Sequence, residues 1–332
     1  MQIFHDPNYN FVRYRWPAII LSTVLILAGV AALFLRGLPL GVEFSGGTIV
    51  IVQFDTVPSI DDVREAVGGR FGGGQDLVVQ SYGAASERRI MIRVPHVGRE
   101  EGAELSRPAQ QIEEALRAAN VGGFQVSSTE VVGPIVGRDL TRKGLLAFSL
   151  SLFFILLYIW FRFQLSFATA ATIATLHDLL VTLAFLVFFG FDISLNVIAA
   201  LLTITGYSTN DTIVIFDRVR ENLRGTRRDD ITHLVNSSIN QTLNRTIITG
   251  GTALFACVFL YFFGGEVLKG FAFTMVVGMI VGTYSSIYIA AAIVTFWPHG
   301  KGGARIAASA PAAAKAATTA RQRKAGRGAR AS

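Results

Sequence analysis

Residues 16–35 read WPAIILSTVLILAGVAALFL, twenty positions without a single charge. A helix of that length rises about 30 Å, the thickness of a bilayer's hydrocarbon core. The run follows Arg13 and Arg15, as a secretory leader would, but it exceeds a cleavable apolar region and is expected to remain as a first transmembrane helix. Comparable apolar stretches recur at 144–161, 165–190, 194–216, 246–263 and 271–297. They predict a polytopic α-helical membrane protein with six transmembrane helices, arranged one plus five around a polar insertion. Composition agrees: 51% of the chain is hydrophobic and 16% charged, against about a quarter charged in soluble domains.

The expected organisation is an N-terminal segment 1–15, a first helix 16–36 and an inserted domain 37–137. Five further helices within 138–297 follow, with a loop at 217–240, and then a basic tail 298–332. The formal charge of +7 belongs to that tail, which carries eight Lys/Arg and no acid from Lys301 onward, so the remainder sums to about −1. The high pI therefore does not argue for nucleic acid, and none is expected as a partner. Anionic lipid is the chemistry a basic tail offers, although Ala-rich basic low complexity is ordinarily disordered. With the N-terminus inside, Arg13 and Arg15, Arg162, the six Arg of 217–245 and the tail all fall on the inner side. Arg138, Arg142 and Lys143 go against this locally, next to a long translocated domain where the rule is weak. Both termini are expected inside and 37–137 outside.

Within 37–137 the pattern turns globular. Glu43-Phe44 and Thr48–Phe54 are expected as β. Ser59 with Asp62 opens a short helix to Phe71, which the glycines 72–74 end. Strands are expected at Leu77–Tyr82 and Arg89–Val94, then a helix from Arg99 to Ala119 with Leu105, Ile112, Ala115 and Leu116 as its apolar stripe, then a strand at Phe124–Val132. The order βαββαβ is that of an α+β ferredoxin-like domain. With one histidine, His96, and 13 acidic against 8 basic residues, the domain suits binding or leverage better than catalysis.

Inside the spans, a charge costs about 2.5–3.5 kcal/mol on insertion scales and needs a partner or a use. Three residues qualify: Asp178, Asp211 and Arg245. Asp211, with Asn210 before it, sits in the polar stretch Gly206–Thr212 of an otherwise apolar span ending near Asp217-Arg218. Counting inward places Asp211 and Arg245 at matched depth, roughly 10 Å from the same face, on consecutive antiparallel helices. A buried pair is expected, either a structural lock or a site where Asp211 binds and releases a proton under the influence of Arg245. His177 precedes Asp178; adjacent helical side chains point about 100° apart, so packing hydrogen bonds are expected of His177 and Asp178 stands as a secondary site. The hydroxyls of Thr203, Thr205, Ser208, Thr209 and Thr212 are ordinary helix-interface glue that can also carry a water path. Gly278 and Gly282 are expected to permit close helix contact.

The lone Cys257 excludes an intramolecular disulfide, the five histidines are dispersed, and no HExxH, GxSxG or P-loop occurs. The chain is not expected to be an enzyme or to hold a metal or cofactor; protons are the only coupling species it implies.

At this point the residues resemble a family. Gly41-Val42-Glu43-Phe44-Ser45-Gly46-Gly47 is similar to the GVDFxGG signature of the SecF branch of the SecD/SecF family, in the RND superfamily. Val132–Gly137, Leu176-His177-Asp178, Gly206–Asn222, Asn240–Thr246, Phe262–Glu266 and Val281–Ser286 continue the resemblance over about 40–290. Glu43 replaces the usual Asp, Thr209 stands where a branched apolar residue is common, and the tail matches nothing characteristic. The resemblance implies half of an RND-type bundle in the bacterial inner membrane, with 37–137 periplasmic. It also implies a SecD-like partner, the SecYEG translocon and a translocating preprotein, with export driven by the proton-motive force. Family residues implicated in proton transport fall on Asp211 and Arg245, with Asn210 beside them and Asp178, His177, Asp217 and Arg218 as secondary candidates. A proton-coupled half-transporter of a small molecule or lipid, and a non-conducting assembly scaffold, are the alternatives. Deleting the chain after Pro298 is expected to leave membrane insertion and export largely intact; severe loss of export in vesicles carrying the truncated chain would give the tail a role.

Overall fold

The computed structural model describes residues 7–71, 77–83, 85–94, 107–225 and 230–296. The tail, His96, the glycines 72–74 and the expected helix start at 99–106 lie outside the described residues. Helix α1 spans Arg15–Arg36 and is followed by a one-turn helix α2, Val42–Ser45. The inserted domain then runs β1 (Gly47–Phe54), α3 (Ile60–Phe71), β2 (Val78–Tyr82), β3 (Arg89–Val94), α4 (Arg107–Ala118) and β4 (Phe124–Val132). Five long helices close the fold. They are α5 (Pro134–Arg162), α6 (Leu165–Phe189), α7 (Leu195–Gly225), α8 (Ile231–Phe263), and α9 (Glu266–Ser285), which continues through a π-helical turn, Ser286–Ala290, into α10 (Ala291–Phe296).

Five segments are long and apolar enough to cross a membrane: Val12–Leu35, Ile135–Arg162, Leu165–Phe189, Ile231–Phe263 and Val267–Phe296. The stretch expected as the fourth span forms the long helix α7, which is not among these five because the polar stretch Gly206–Thr212 dilutes its apolar content. Several helices overrun their expected ends. Helix α5 starts at Pro134, placing the expected boundary at 137/138 inside it, and its first turns carry a Lys143–Asp139 pair at 2.7 Å. The expected loop 217–240 is helical on both sides, since α7 continues to Gly225 and α8 begins at Ile231, capped by Asp230 accepting from the Thr232 amide (3.3 Å). Polar turns continue a helix wherever water replaces lipid, and apolarity cannot mark their ends.

The four strands form one antiparallel sheet in the order β2-β3-β1-β4. Val79, Ile92 and Val50 stand opposite one another across three strands, a row of the kind that stabilises sheets through side-chain contact. They pack with Val63 and Val67 of α3 and Ile112 and Leu116 of α4 into one core. Ser59 caps α3 by accepting from the Asp61 amide at 3.2 Å.

Glu43-Phe44, expected as strand, forms α2 instead: Ser45 and Gly46 donate to Gly41 and Val42 carbonyls at 3.0 and 2.9 Å. Gly46, at φ +70°, then turns the chain into β1. This glycine-rich segment is a buckle between domain and bundle. Its Gly41 amide donates to the Ile193 carbonyl (2.8 Å) and the Ile193 amide to the Pro39 carbonyl (2.7 Å), joining it to the α6–α7 loop. On the other side a Cβ at Gly137 of α5 would lie 3.2 Å from both Gly46 N and Phe44 O. Arg93 of β3 completes the buckle, donating to Asp192 (3.0 Å) and to the Leu40 carbonyl (3.1 Å).

In the bundle, α9 crosses α7 at its small residues. A Cβ at Gly278 would collide with Ile204, and one at Gly282 would lie 2.9 Å from the Ser208 Cβ. Gly29 of α1 meets Ala184 of α6 in the same way.

Burial raises the Asp192 carboxyl above the ordinary carboxylate value while Arg93 pulls it down. An acid raised by folding costs stability as pH climbs from its ordinary value through its folded one. Asp192→Asn is therefore expected to flatten the fall in thermal stability between about pH 4 and 7. Arg93→Ala should steepen it, by leaving the carboxylate buried without its cation. Thermal unfolding of the three proteins across that range checks both slopes.

Candidate functional site

The polar stretch that spoils α7 as an apolar helix faces inward, toward α8, α9 and α6. Asp211 is 9% exposed. Its Oδ1 accepts from the Thr246 hydroxyl of α8 at 2.6 Å, while its Oδ2 is buried and takes no hydrogen bond among the described residues. One residue on, Thr212 shares a 2.8 Å hydrogen bond with Ser286, the first residue of the π-helical turn. A carboxylate with one oxygen held and one left open, enclosed by helices, is equipped to take a proton without rearranging its fixed side.

Three helical positions before Asp211, the Ser208 hydroxyl bonds to Oδ2 of Asp178, which is buried on α6. Oδ1 of Asp178 meets His177 Nδ1 at 3.0 Å. The adjacent pair, expected to diverge, thus bond each other directly, because both side chains are long enough to fold back along α6. The buried His177 Nε2 has no hydrogen-bond partner among the described residues.

The expected buried pair of Asp211 with Arg245 is not formed. Depth is matched, but Thr246 is the α8 residue that turns to Asp211, and neighbouring helical positions differ by about 100° in direction. Arg245 is exposed, and among the described residues no ion pair joins it to Asp211. Its charge acts on Asp211 from outside the contact. Asn210 is likewise exposed on α7.

Asp217 and Arg218 fall at the far end of α7, outside this interior. Asp217 lies 3.8 Å from Arg162 with both side chains about half exposed, and Arg218 bonds Gln241 of α8 and Glu221. With Asn222, which donates to Ser238 at 2.8 Å, they fasten α7 to α8 beyond the apolar zone. Sequence reasoning undervalued Thr246 and Ser286; their signal was position, one beside the single basic residue of its span and one at a Ser-Ser step in an apolar helix.

Residues 111–300 match the family described as "Protein export membrane protein SecD/SecF, C-terminal", and residues 31–56 match the SecD/SecF GG motif. The chain is 42% identical over 290 residues to a protein translocase subunit SecF from Desulfurispirillum indicum, covering 86% of this chain and 91% of the relative. It is 37% identical over 285 residues to the SecF subunit of Escherichia coli O157:H7, covering 86% of each. Among solved structures, SecDF from Thermus thermophilus, a translocon-associated membrane protein, superposes with a TM-score of 0.77 at 34% identity. That match covers 88% of this chain but 39% of the SecDF chain. SecDF in a super-membrane-facing form gives a TM-score of 0.65 at 32% identity, covering 93% and 41%.

Replacing Thr246 with Val keeps its volume and removes the one hydroxyl bonded to Asp211. The loss is expected to destabilise the bundle by about 1–3 kcal/mol, read as a lowered unfolding temperature in detergent that Thr246→Ser largely restores.

Proposed function

The chain belongs to the SecD/SecF family of protein-export membrane proteins, and we propose that it is a SecF-like subunit that couples proton entry at Asp211 to preprotein export. It works with a SecD-like partner beside a SecYEG channel in a bacterial inner membrane. The observation that carries the proton-coupling part is the enclosed Asp211 carboxylate, with Oδ1 held by Thr246 and Oδ2 open. One elementary charge crossing 100 mV releases about 2.3 kcal/mol, so a few protons supply enough to displace a domain. The relatives are named as translocase subunits, which agrees with a transport component rather than an enzyme.

The membrane arrangement follows. We read α7 as a sixth span because it packs among α5, α6, α8 and α9 and its 31 residues extend about 46 Å. An even number of spans puts both termini on one side, and Arg13, Arg15, Arg162 and the arginines after Asp217 make that side the cytoplasm. The inserted domain is then periplasmic. We read it as ferredoxin-like, supported by its βαββαβ order and the strand order β4-β1-β3-β2.

The SecD-like partner is supported by the surface that this chain leaves open. Asn210 of α7 and Arg245, Thr249 and Thr252 of α8 are exposed within the bundle's long helices, where lipid gives a charge no partner. A second bundle half would cover them, and the SecDF chain is long enough to contain one. In this reading Arg245 acts at the seam between halves, next to the carboxylate it influences.

Asp211→Asn separates the drive from a scaffold. The variant is expected to co-purify with the SecD-like partner and to export no more preprotein in energised inner-membrane vesicles than in uncoupled ones. Undiminished proton-dependent export would remove Asp211 from the mechanism, and loss of co-purification would favour a packing role.

A further inference from the structure

Asp178 and Asp211 are the only acidic residues buried in the protein among the described residues, and they share more than an interior. Ser208, Asp211 and Thr212 occupy positions i, i+3 and i+4, one face of α7. Ser208 bonds Asp178, and Thr212 bonds Ser286. Ser285 lies one residue before Ser286, where α9 gives way to the π-helical turn. The Ser285 hydroxyl is near enough to Asp178, and the Ser286 hydroxyl near enough to Asp211, to act on each carboxyl. One two-residue step therefore lies between the two carboxyls. Single π-helical turns within α-helices recur at functional sites because they re-aim side chains at small cost.

Each serine hydroxyl also has a second partner. Ser285 donates to the Gly282 carbonyl at 3.1 Å, and Ser286 shares its bond with Thr212 at 2.8 Å. Each can rotate toward its aspartate when that group is ionised and back when it is protonated. His177 fixes the other side of Asp178: with the carboxylate ionised, the imidazole hydrogen sits on Nδ1 and Nε2 is an acceptor. His177 lines a crevice of about 330 Å³ with Ile26, Ile173 and Leu180, and the Ser22 and Thr23 hydroxyls on its wall donate elsewhere, to Tyr284 and to the Ile19 carbonyl.

We propose that Asp178 and Asp211 form one coupled proton-binding unit, with His177 holding Asp178 and the Ser285–Ser286 step carrying the state of each carboxyl to the other. This rests on the reading of Asp211 as a proton site. The ionisable groups around the unit are His177 on α6, Tyr207 on α7, Arg245 on α8 and Tyr284, whose ring lies 6.3 Å from that of His177. Asp178 is bonded to Ser208, less than one helical turn from Asp211 on the same face of α7, and like charges that close in a poorly polarisable interior titrate as a coupled pair. Protons then load in two steps that belong to the pair, and each step changes which helix, α6 or α8, holds α7 more firmly.

Infrared difference spectroscopy of the full chain, co-reconstituted with its SecD-like partner, resolves protonated buried carboxyls, and Asp178→Asn and Asp211→Asn assign the bands. A carboxyl meets the like charge of the other only once that one has ionised, so the carboxyl that ionises second in the wild type should ionise at lower pH when the first is replaced by Asn, while the first is little moved when the second is replaced. Ser208→Ala keeps both carboxyls and takes a donor from Asp178; it should raise the Asp178 midpoint and so identify the Asp178 band. Midpoints unchanged from wild type in both single variants, Asp211 in Asp178→Asn and Asp178 in Asp211→Asn, overturn the coupling while leaving Asp211 as a proton site. An Asp211 band that does not titrate overturns both.

Discussion

A carboxylate enclosed by apolar helices has no water to turn to, and the bundle is organised around that constraint. Buried polar groups are satisfied by other protein groups, and the partners of Asp211 and Asp178 come from three helices. Thr246 comes from α8, Ser208 from α7 and His177 from α6. Helix α9 is held to the same face of α7 by the Thr212–Ser286 bond, and Gly278 and Gly282 let it approach Ile204 and Ser208 there.

The same helix that carries Asp211 begins at the domain's buckle. Leu195 comes two residues after Ile193, which with Asp192 holds Arg93 and the 39–41 backbone. From there to Asp211 is sixteen residues, about 24 Å of uninterrupted helix. An α-helix transmits axial and rotational displacement along its length, so a change in how α7 sits against α6 or α8 is felt at Ile193 and Asp192. On the domain side the contact is made by β3, a strand in the interior of the sheet, and an interior strand moves only with its neighbours. The Asp211 carboxyl and the inserted domain are joined by rigid elements with one short buckle between them.

Depth was legible in the sequence and azimuth was not. Counting apolar residues located every long helix, and counting inward placed Asp211 and Arg245 on the same level. Which α8 residue turned to Asp211 depended on the rotation of that helix, which is set by the packing of Leu234, Val235, Ile239 and Leu243 into the bundle core. Thr246 follows Leu243 round that face and Arg245 does not. Helix ends were hidden for a different reason: past the apolar zone, helices such as α7 and α8 continue on polar residues that carry no hydropathic signal. The buckle was misread as strand because the two apolar residues of Val42-Glu43-Phe44 fit either period, and the Gly46 conformation decided between them.

The exposed position of Arg245 changes what the charge accomplishes. Within a contact pair it would hold Asp211 ionised, and a proton would have to break a salt bridge to bind. At one remove, with Thr246 in the contact instead, its field biases the carboxylate without occupying either oxygen, and Oδ2 remains open. The strength of that bias depends on what lies against Arg245: a lipid-facing guanidinium snorkels away, whereas one covered by protein is held in place and acts through a low dielectric. Whatever covers the Asn210 and Arg245 face therefore sets the proton affinity of a group it does not touch. That makes the assembled state of the chain a determinant of its chemistry.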